Sequence, residues 1–336
     1  LGSNSVRSPS VAVFANGVPV AGVLDVEISS NSYLSADRYR LRVSLTASGY
    51  AIWAANQIEL DIQLGLDGAW TSMILGLADC VEVDPARGEV LVEGRDLTAR
   101  FITARTQENF ENRTASDIAT TLALRQGLAP AVTPTTALFG RDFQNDHSRT
   151  TLDQHAKSTT EWDLLTRLAE QEGFDVWVTG RVLNFSPLAL DDAPLLLTPE
   201  DCISIRLERN LALSSGLSVS VKSWDCRGNQ AITQTAAISG NAGTAASYVV
   251  VRPNMGAEAA QSLAQRILAQ MAQQARRVAI EMPGDLTTQP RDTLVVAGTG
   301  TDFDGIYILT AVERRMSFQH GFLQTIEARI PPWTAF

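Results

Sequence analysis

His147 and His155, with Asp142, Asp146 and Asp153 around them, place imidazole and carboxylate close together, which is the ligand chemistry of a zinc site. Their spacing matches no zinc motif, so surface or capping roles are expected of them. Glu161 and Asp163 are a carboxylate pair of the kind that hydrolyses glycosides, but they flank Trp162. On a helix that spacing sends them in divergent directions, and acids in a first turn favour the helix dipole. Asp302-x-Asp304-Gly305 opens like a calcium loop but lacks the later bidentate glutamate, so a hairpin turn is expected. Gly216-Leu217-Ser218-Val219-Ser220 lacks the second glycine of a nucleophile elbow and sits within a strand pattern. The glycines of 298–305 fit neither a P-loop nor a dinucleotide fingerprint. Cys80, Cys202 and Cys226 have no C-x-x-C spacing, and reduced, mostly buried thiols are expected. No catalytic, cofactor-binding or metal-binding residue is assigned, and the chain is expected not to be an enzyme.

Any such residues would be carried on a mainly β framework. From 8 to 98 the pattern has period two. Val11 and Val13 approach Asn16-Gly17, the strongest short hairpin signal, and Val18 and Val20 leave it. Tyr39, Leu41, Val43 and Leu45 alternate with Arg38, Arg40, Arg42 and Ser44, one face buried and one wet. Leu60, Ile62 and Leu64 repeat the device before Asp67-Gly68. Six or so short strands at this spacing suggest a small antiparallel barrel.

A middle α/β unit is expected over 99–200. Thr114 and Asp117 form a capping box before Ala115, Ile118, Ala119, Leu122 and Ala123, and Gly127 stops the helix. Ser158 or Thr160 caps a second helix carrying Trp162, Leu165, Leu168 and Ala169, ended by Gly173. A hairpin about Gly180 follows. Alternation returns over 201–336, a second β-barrel domain interrupted by a helix near 257–275. Its apolar face holds Ala260, Leu263, Ala264, Ile267, Leu268, Met271 and Ala275. The fold class is therefore α+β, mainly β.

The chain has 336 residues, 45% hydrophobic and 19% charged, an ordinary globular composition for two or three compact units. A net charge of −10 argues against a surface built to grip phosphate backbones. No apolar run approaches the ~18 to 20 residues of a membrane span, and no basic-then-apolar leader is present, so a soluble chain without membrane insertion is expected.

The succession GRDLTARFITART, ENRTASDIATTLALRQGL and STTEWDLLTRLAEQEGFDVWVTGRVLNF resembles the late control D family of contractile-tailed phages, the baseplate hub proteins. It is similar also to the hub portion of type VI secretion spike proteins. Asp304-Gly305-Ile306-Tyr307-Ile308-Leu309-Thr310-Ala311-Val312 is similar to the family's C-terminal region. At Pro290-Arg291-Asp292 the family more usually has Pro-Gly-Asp, which leaves the turn type open. The resemblance runs from about 8 to 330. It implies two antiparallel β-barrel-like domains of similar fold, a middle α/β domain, an inserted helix that packs on that middle domain, and no catalytic residues. It also implies a homotrimer that joins a sixfold tail tube to a threefold central spike and leaves a channel for DNA. The implied partners are the spike, the tube or its initiator and other baseplate proteins, with no sequence-specific nucleic-acid binding. The implied location is the virion tail baseplate, after assembly in the bacterial host cytoplasm. A tail-associated cell-wall hydrolase and a carbohydrate- or receptor-binding β-protein are the alternatives.

Overall fold

The Asn16-Gly17 turn forms as its residue types dictate: both take left-handed φ, 48° and 79°, and Ala15 pairs with Val18. Asp67-Gly68 repeats the device at 52° and 90°, between Leu66 and Ala69. In the computed structural model the described residues are 7–106, 110, 112–139, 160–190, 193–214, 216–225, 229–239, 246–253 and 255–331. The candidate residues Asp142, Asp146, His147, Asp153, His155 and Cys226 lie outside them, as does Ser158.

The chain is α+β and mainly β. Its largest element is one sheet of 13 strands. The sheet starts at Ser204–Arg209 and passes through Arg276–Pro283, Gly321–Arg329 and Gly305–Ser317. It continues through Val23–Asn31, Arg38–Ser44, Glu89–Asp96, Ala69–Asp84 and Glu59–Leu66 to Pro9–Ala15 and Val18–Pro19. Leu195–Leu197 pairs parallel with Thr293–Val296, which pairs with Gly305–Ser317. Inward residues gather into two apolar cores. One holds Val13, Leu41, Val43, Leu60, Ile62, Val90 and Val92, and the other Val278, Ile280, Leu294, Leu309, Val312 and Ile326.

The parts of the sheet over these two cores are its first and second curl, and both belong to one continuous sheet. The 13-residue strand Gly305–Ser317 explains how. Its first part pairs with Thr293–Val296, and its later part, from Ala311, pairs with Val23–Asn31. A register shift between Leu309 and Ala311 separates the two, and such a bulge bends and twists a strand. The first core is also closed by residues distant in sequence, Leu286 and Phe322. Gly284 permits this approach, since a Cβ there would lie 2.4 Å from the Phe322 ring.

The middle unit matches its caps. Thr114 with Asp117 and Thr160 with Asp163 form complete capping boxes on helices Ala115–Arg125 and Glu161–Glu172. Thr160, within the described residues, is the second cap. Gly173 ends the latter helix in the left-handed region, at φ 72°. Both helices pack on the hairpin Phe174–Thr179 and Val182–Pro187, which Ala129–Val132 extends by parallel pairing. Leu34, Leu75 and Leu77 of the first curl pack against this core.

Two expectations are corrected. The 201–336 segment is not a single barrel. Gly216–Asp225, Gln230–Ser239 and Ala246–Val251 form a separate three-stranded sheet, and the second curl draws on Leu195–Leu197, upstream of 201. The apolar face of helix Ala257–Ala272 covers that small sheet rather than the middle unit: Ala260, Ala264 and Leu268 are buried with Leu217, Val219, Val221 and Ile232. The adjacent sheet supplies an apolar face at the shortest chain separation, where loop closure costs least. The link to the middle unit is polar. Arg266 donates through Nη1 to the carbonyls of Glu170 and Gln171 (2.8 Å to the latter), at the C-terminal end of helix Glu161–Glu172. A cation there meets carbonyls that have no partner within the helix. No helix among the described residues is long and apolar enough to cross a membrane.

Candidate functional site at the junction of the units

Among the described residues, those singled out by their chemistry are dispersed by the fold into structural roles. Glu161 is 3% exposed, and its carboxylate accepts from Arg125 Nη1 at 3.0 Å and Gln126 Nε2 at 2.6 Å. It ties the start of the second capped helix to the end of the first. Asp163 is occupied in its capping box, accepting from Thr160 N at 3.1 Å. Asp304 accepts from Thr299 Oγ1, from Thr299 N (3.0 Å) and from Gly298 N (3.1 Å), and those bonds hold its carboxyl below the usual range. Asp302 pairs with Arg209 and Arg276. Ser220 shares a 2.8 Å hydrogen bond with Thr235 across the small sheet. Cys202 is partly buried, with Sγ donating to the Thr198 carbonyl at 3.2 Å. Cys80, contrary to the expectation of burial, is exposed beside a strand irregularity at Ala78/Cys80. Among the described residues no group of three or more His, Cys, Asp or Glu is placed to hold a metal ion.

Of the charged groups that do converge, the sequence pointed only to Arg291 and Asp292, and only through the Pro290-Arg291-Asp292 turn. The converging groups line a cleft of about 630 Å³ where the first curl, the middle hairpin and the second curl meet. Asn31, Asp37, Asp96 and Thr98 come from the first side, Asp175 and Trp177 from the hairpin, and Pro290, Arg291 and Asp292 from the third.

Asp37 is half-buried as a residue, but its carboxyl is turned in from water and accepts from Asn31 N at 2.9 Å. Burial pushes this carboxyl up to about 6, against the Asn31 hydrogen bond and the charges of Arg291 and Arg314. Asp96 is 6% exposed and accepts from Thr98 Oγ1 at 2.9 Å and Thr98 N at 3.2 Å. Burial first, and then the charge of Asp37, raise it well above the ordinary value. Arg314 is 1% exposed and donates to the carbonyls of Asp285 (3.0 Å) and Thr288. Burial lowers it to about 10.

These acids give the fold a pH dependence of definite sign. A carboxyl raised in the folded state contributes stability that is full below its unfolded value and is lost as pH rises through the folded value. For Asp37 the window runs from 3.8 to about 6. The shift corresponds to about 3 kcal/mol, and Asp96 adds in the same direction. Asp37→Asn, which keeps the Oδ1 acceptor, is therefore expected to be more stable than the native chain at pH 8 and to flatten the gain in stability as pH falls from about 6 towards 3.8. Urea unfolding at several pH values measures both.

Arg291 completes the junction. Asp292 N donates to Gln289 O at 3.3 Å, and Arg291, third in that turn, has φ 84°. Because proline holds φ near −65°, Pro290 followed by a residue at positive φ makes a type II turn, whose third position favours glycine. The Pro290-Arg291-Asp292 departure therefore keeps the turn and places an arginine in a left-handed conformation that costs roughly 1–2 kcal/mol. The side chain forms an ion pair with Asp175 at 2.5 Å and lies over the Trp177 ring at 4.3 Å. A sequence signal exists: Asp175 and Trp177 stand two apart on one strand face, an anion beside a π surface, which together receive a guanidinium.

With this geometry in view, the architecture is that of phage tail proteins and type VI secretion components. The chain is similar to the tail protein of Neisseria meningitidis, with a TM-score of 0.72 and 15% identity, covering 96% of each chain. It is similar to the 43 kDa tail protein of prophage MuSo2 from Shewanella oneidensis, at 0.70 and 16%, covering 97% of this chain and 99% of that one. A component of the Escherichia coli type VI secretion system, described as structurally similar to the bacteriophage T4 tail proteins gp27 and gp5, aligns at 0.55 and 12%, covering 95% of this chain and 76% of that one. No curated protein matches by sequence. Residues 57–317 match the family model described as the Alg8 N-terminal domain, and the chain belongs to that family.

Proposed function

We propose that the chain is a structural hub of a phage tail or related contractile injection system, a homotrimer that adapts a sixfold tail tube to a threefold central spike. The observation that carries this reading is the single sheet curling about two cores within one chain. A closed sixfold ring and a closed threefold assembly offer different numbers of equivalent surfaces, so identical contacts cannot join them. Three chains with two curls each present six units on one face and three repeats on the other, with the curls of one chain related by a rotation of about 60°. The full-length likeness to tail proteins supports the same role.

The other parts follow from the architecture. The middle unit and the small helix-covered sheet lie outside the two curls and provide surfaces for the spike and other baseplate proteins. A net charge of −10 suits a lumen through which DNA passes without adhering. The protein acts without catalysis, in the virion baseplate, after assembly in the host cytoplasm. Light scattering of the purified chain with a candidate spike is expected to give a mass containing three copies of the chain. A one-to-one complex with a spike monomer would sink the adaptor reading. Zymography on peptidoglycan is expected to show no clearing, and a cleared band would replace the hub by the hydrolase.

A further inference from the structure

The corner between the two curls combines a break in strand register with a brace. The break is the irregularity at Leu309/Ala311, where the shared strand changes partners. Around it the Thr310 carbonyl accepts from Ser32 N at 2.9 Å, and Leu309 bonds in both directions to the turn carrying Arg291. Arg291 N donates to Leu309 O at 2.8 Å, and Leu309 N donates to Asp292 O at 2.9 Å. The middle unit is fastened separately to the first curl. Trp162 Nε1 donates to Leu34 O at 2.8 Å, and Arg100 and Arg181 both pair with Glu59. Arg291 then reaches from the second curl to Asp175 and Trp177 of the middle hairpin, and its Nη1 lies 3.5 Å from the Asn31 carbonyl of the first curl.

From these contacts we infer that Arg291 is a positioning residue, a brace that fixes the angle of the second curl against the first curl and middle unit. Two independent observations point to it. The backbone there occupies a conformation that an arginine adopts only against its steric preference, so surrounding contacts must hold it. The side chain is 12% exposed and engages an anion and an aromatic face at once, whereas an arginine merely tolerated in a turn extends into water. A continuous sheet transmits bending, and a brace across its corner removes that freedom.

Hydrogen exchange on the full chain tests the brace. Arg291→Gly removes the side chain and relieves the turn, so the variant retains the conditions for folding. Arg291→Ala removes the brace and leaves the backbone at positive φ. Both are expected to raise amide exchange in Phe174–Thr179 and in the Ser32–Thr310 region by about tenfold or more, with Glu59–Leu66 unchanged. Asp175→Asn is expected to reproduce the change in the hairpin. The inference is overturned if Arg291→Gly leaves exchange at both places as in the native chain. A higher melting temperature with that unchanged exchange would identify the arginine as a strained turn residue and no brace.

Discussion

Leu165→Ala is expected to destabilise the chain by roughly 2–5 kcal/mol. Leu165 is fully buried on the second capped helix, in the core formed by Ile118 and Leu122 of the first and by Val176, Leu183 and Phe185 of the hairpin. Truncation loses its transfer energy and leaves a cavity that two helices and a hairpin cannot easily collapse. Leu168→Ala, 2% exposed in the same core, is expected to fall in the same range. Because Leu34, Leu75 and Leu77 pack against this core from the first curl, the loss is expected to lower the stability of both units together. Chemical denaturation followed by circular dichroism measures it, and a loss below about 1 kcal/mol would mean that the middle core is not packed as described.

Glu161→Ala is expected to cost about 3 to 4 kcal/mol, because hydrogen bonds to a buried charge contribute more than neutral ones. Its carboxylate is the common acceptor for Arg125 and Gln126, and truncation leaves the Gln126 amide without that partner. Glu161→Gln keeps the shape and one acceptor oxygen and is expected to cost roughly 1 kcal/mol. The contrast with Asp163→Asn, which keeps an acceptor oxygen for the backbone N–H of the N-cap Thr160, separates a buried tie from a helix-end preference. Equal losses for Glu161→Ala and Glu161→Gln would contradict the tie.

What was legible in the sequence is what short-range chemistry determines. Asn16-Gly17 and Asp67-Gly68 specify their hairpins through two residues at positive φ. Thr114 with Asp117 and Thr160 with Asp163 specify helix starts through reciprocal bonds three residues apart. Glu161 was placed correctly in a first turn, but its burial depends on Arg125 and Gln126, some 35 residues away. The apolar stripe of helix Ala257–Ala272 shows that a partner surface exists without saying which. The continuity of the sheet rests on pairing Ala311 with Asn31 and Arg315 with Glu27, contacts between opposite ends of the chain. Period two in each strand is the same whether the curls are separate or shared. Arg291 was visible only as a departure from glycine, and its structural meaning lies in Asp175 and Trp177.

The hub reading is tested most directly by electron cryo-microscopy of the chain bound to a trimeric spike. The expected reconstruction has three copies around the spike axis, with the core of Leu41 and Leu60 and the core of Ile280 and Ile326 alternating as six units in a ring around an open channel. Copies attached to the outside of the spike, with the two curls of each chain at different distances from the axis and no ring between them, would contradict it.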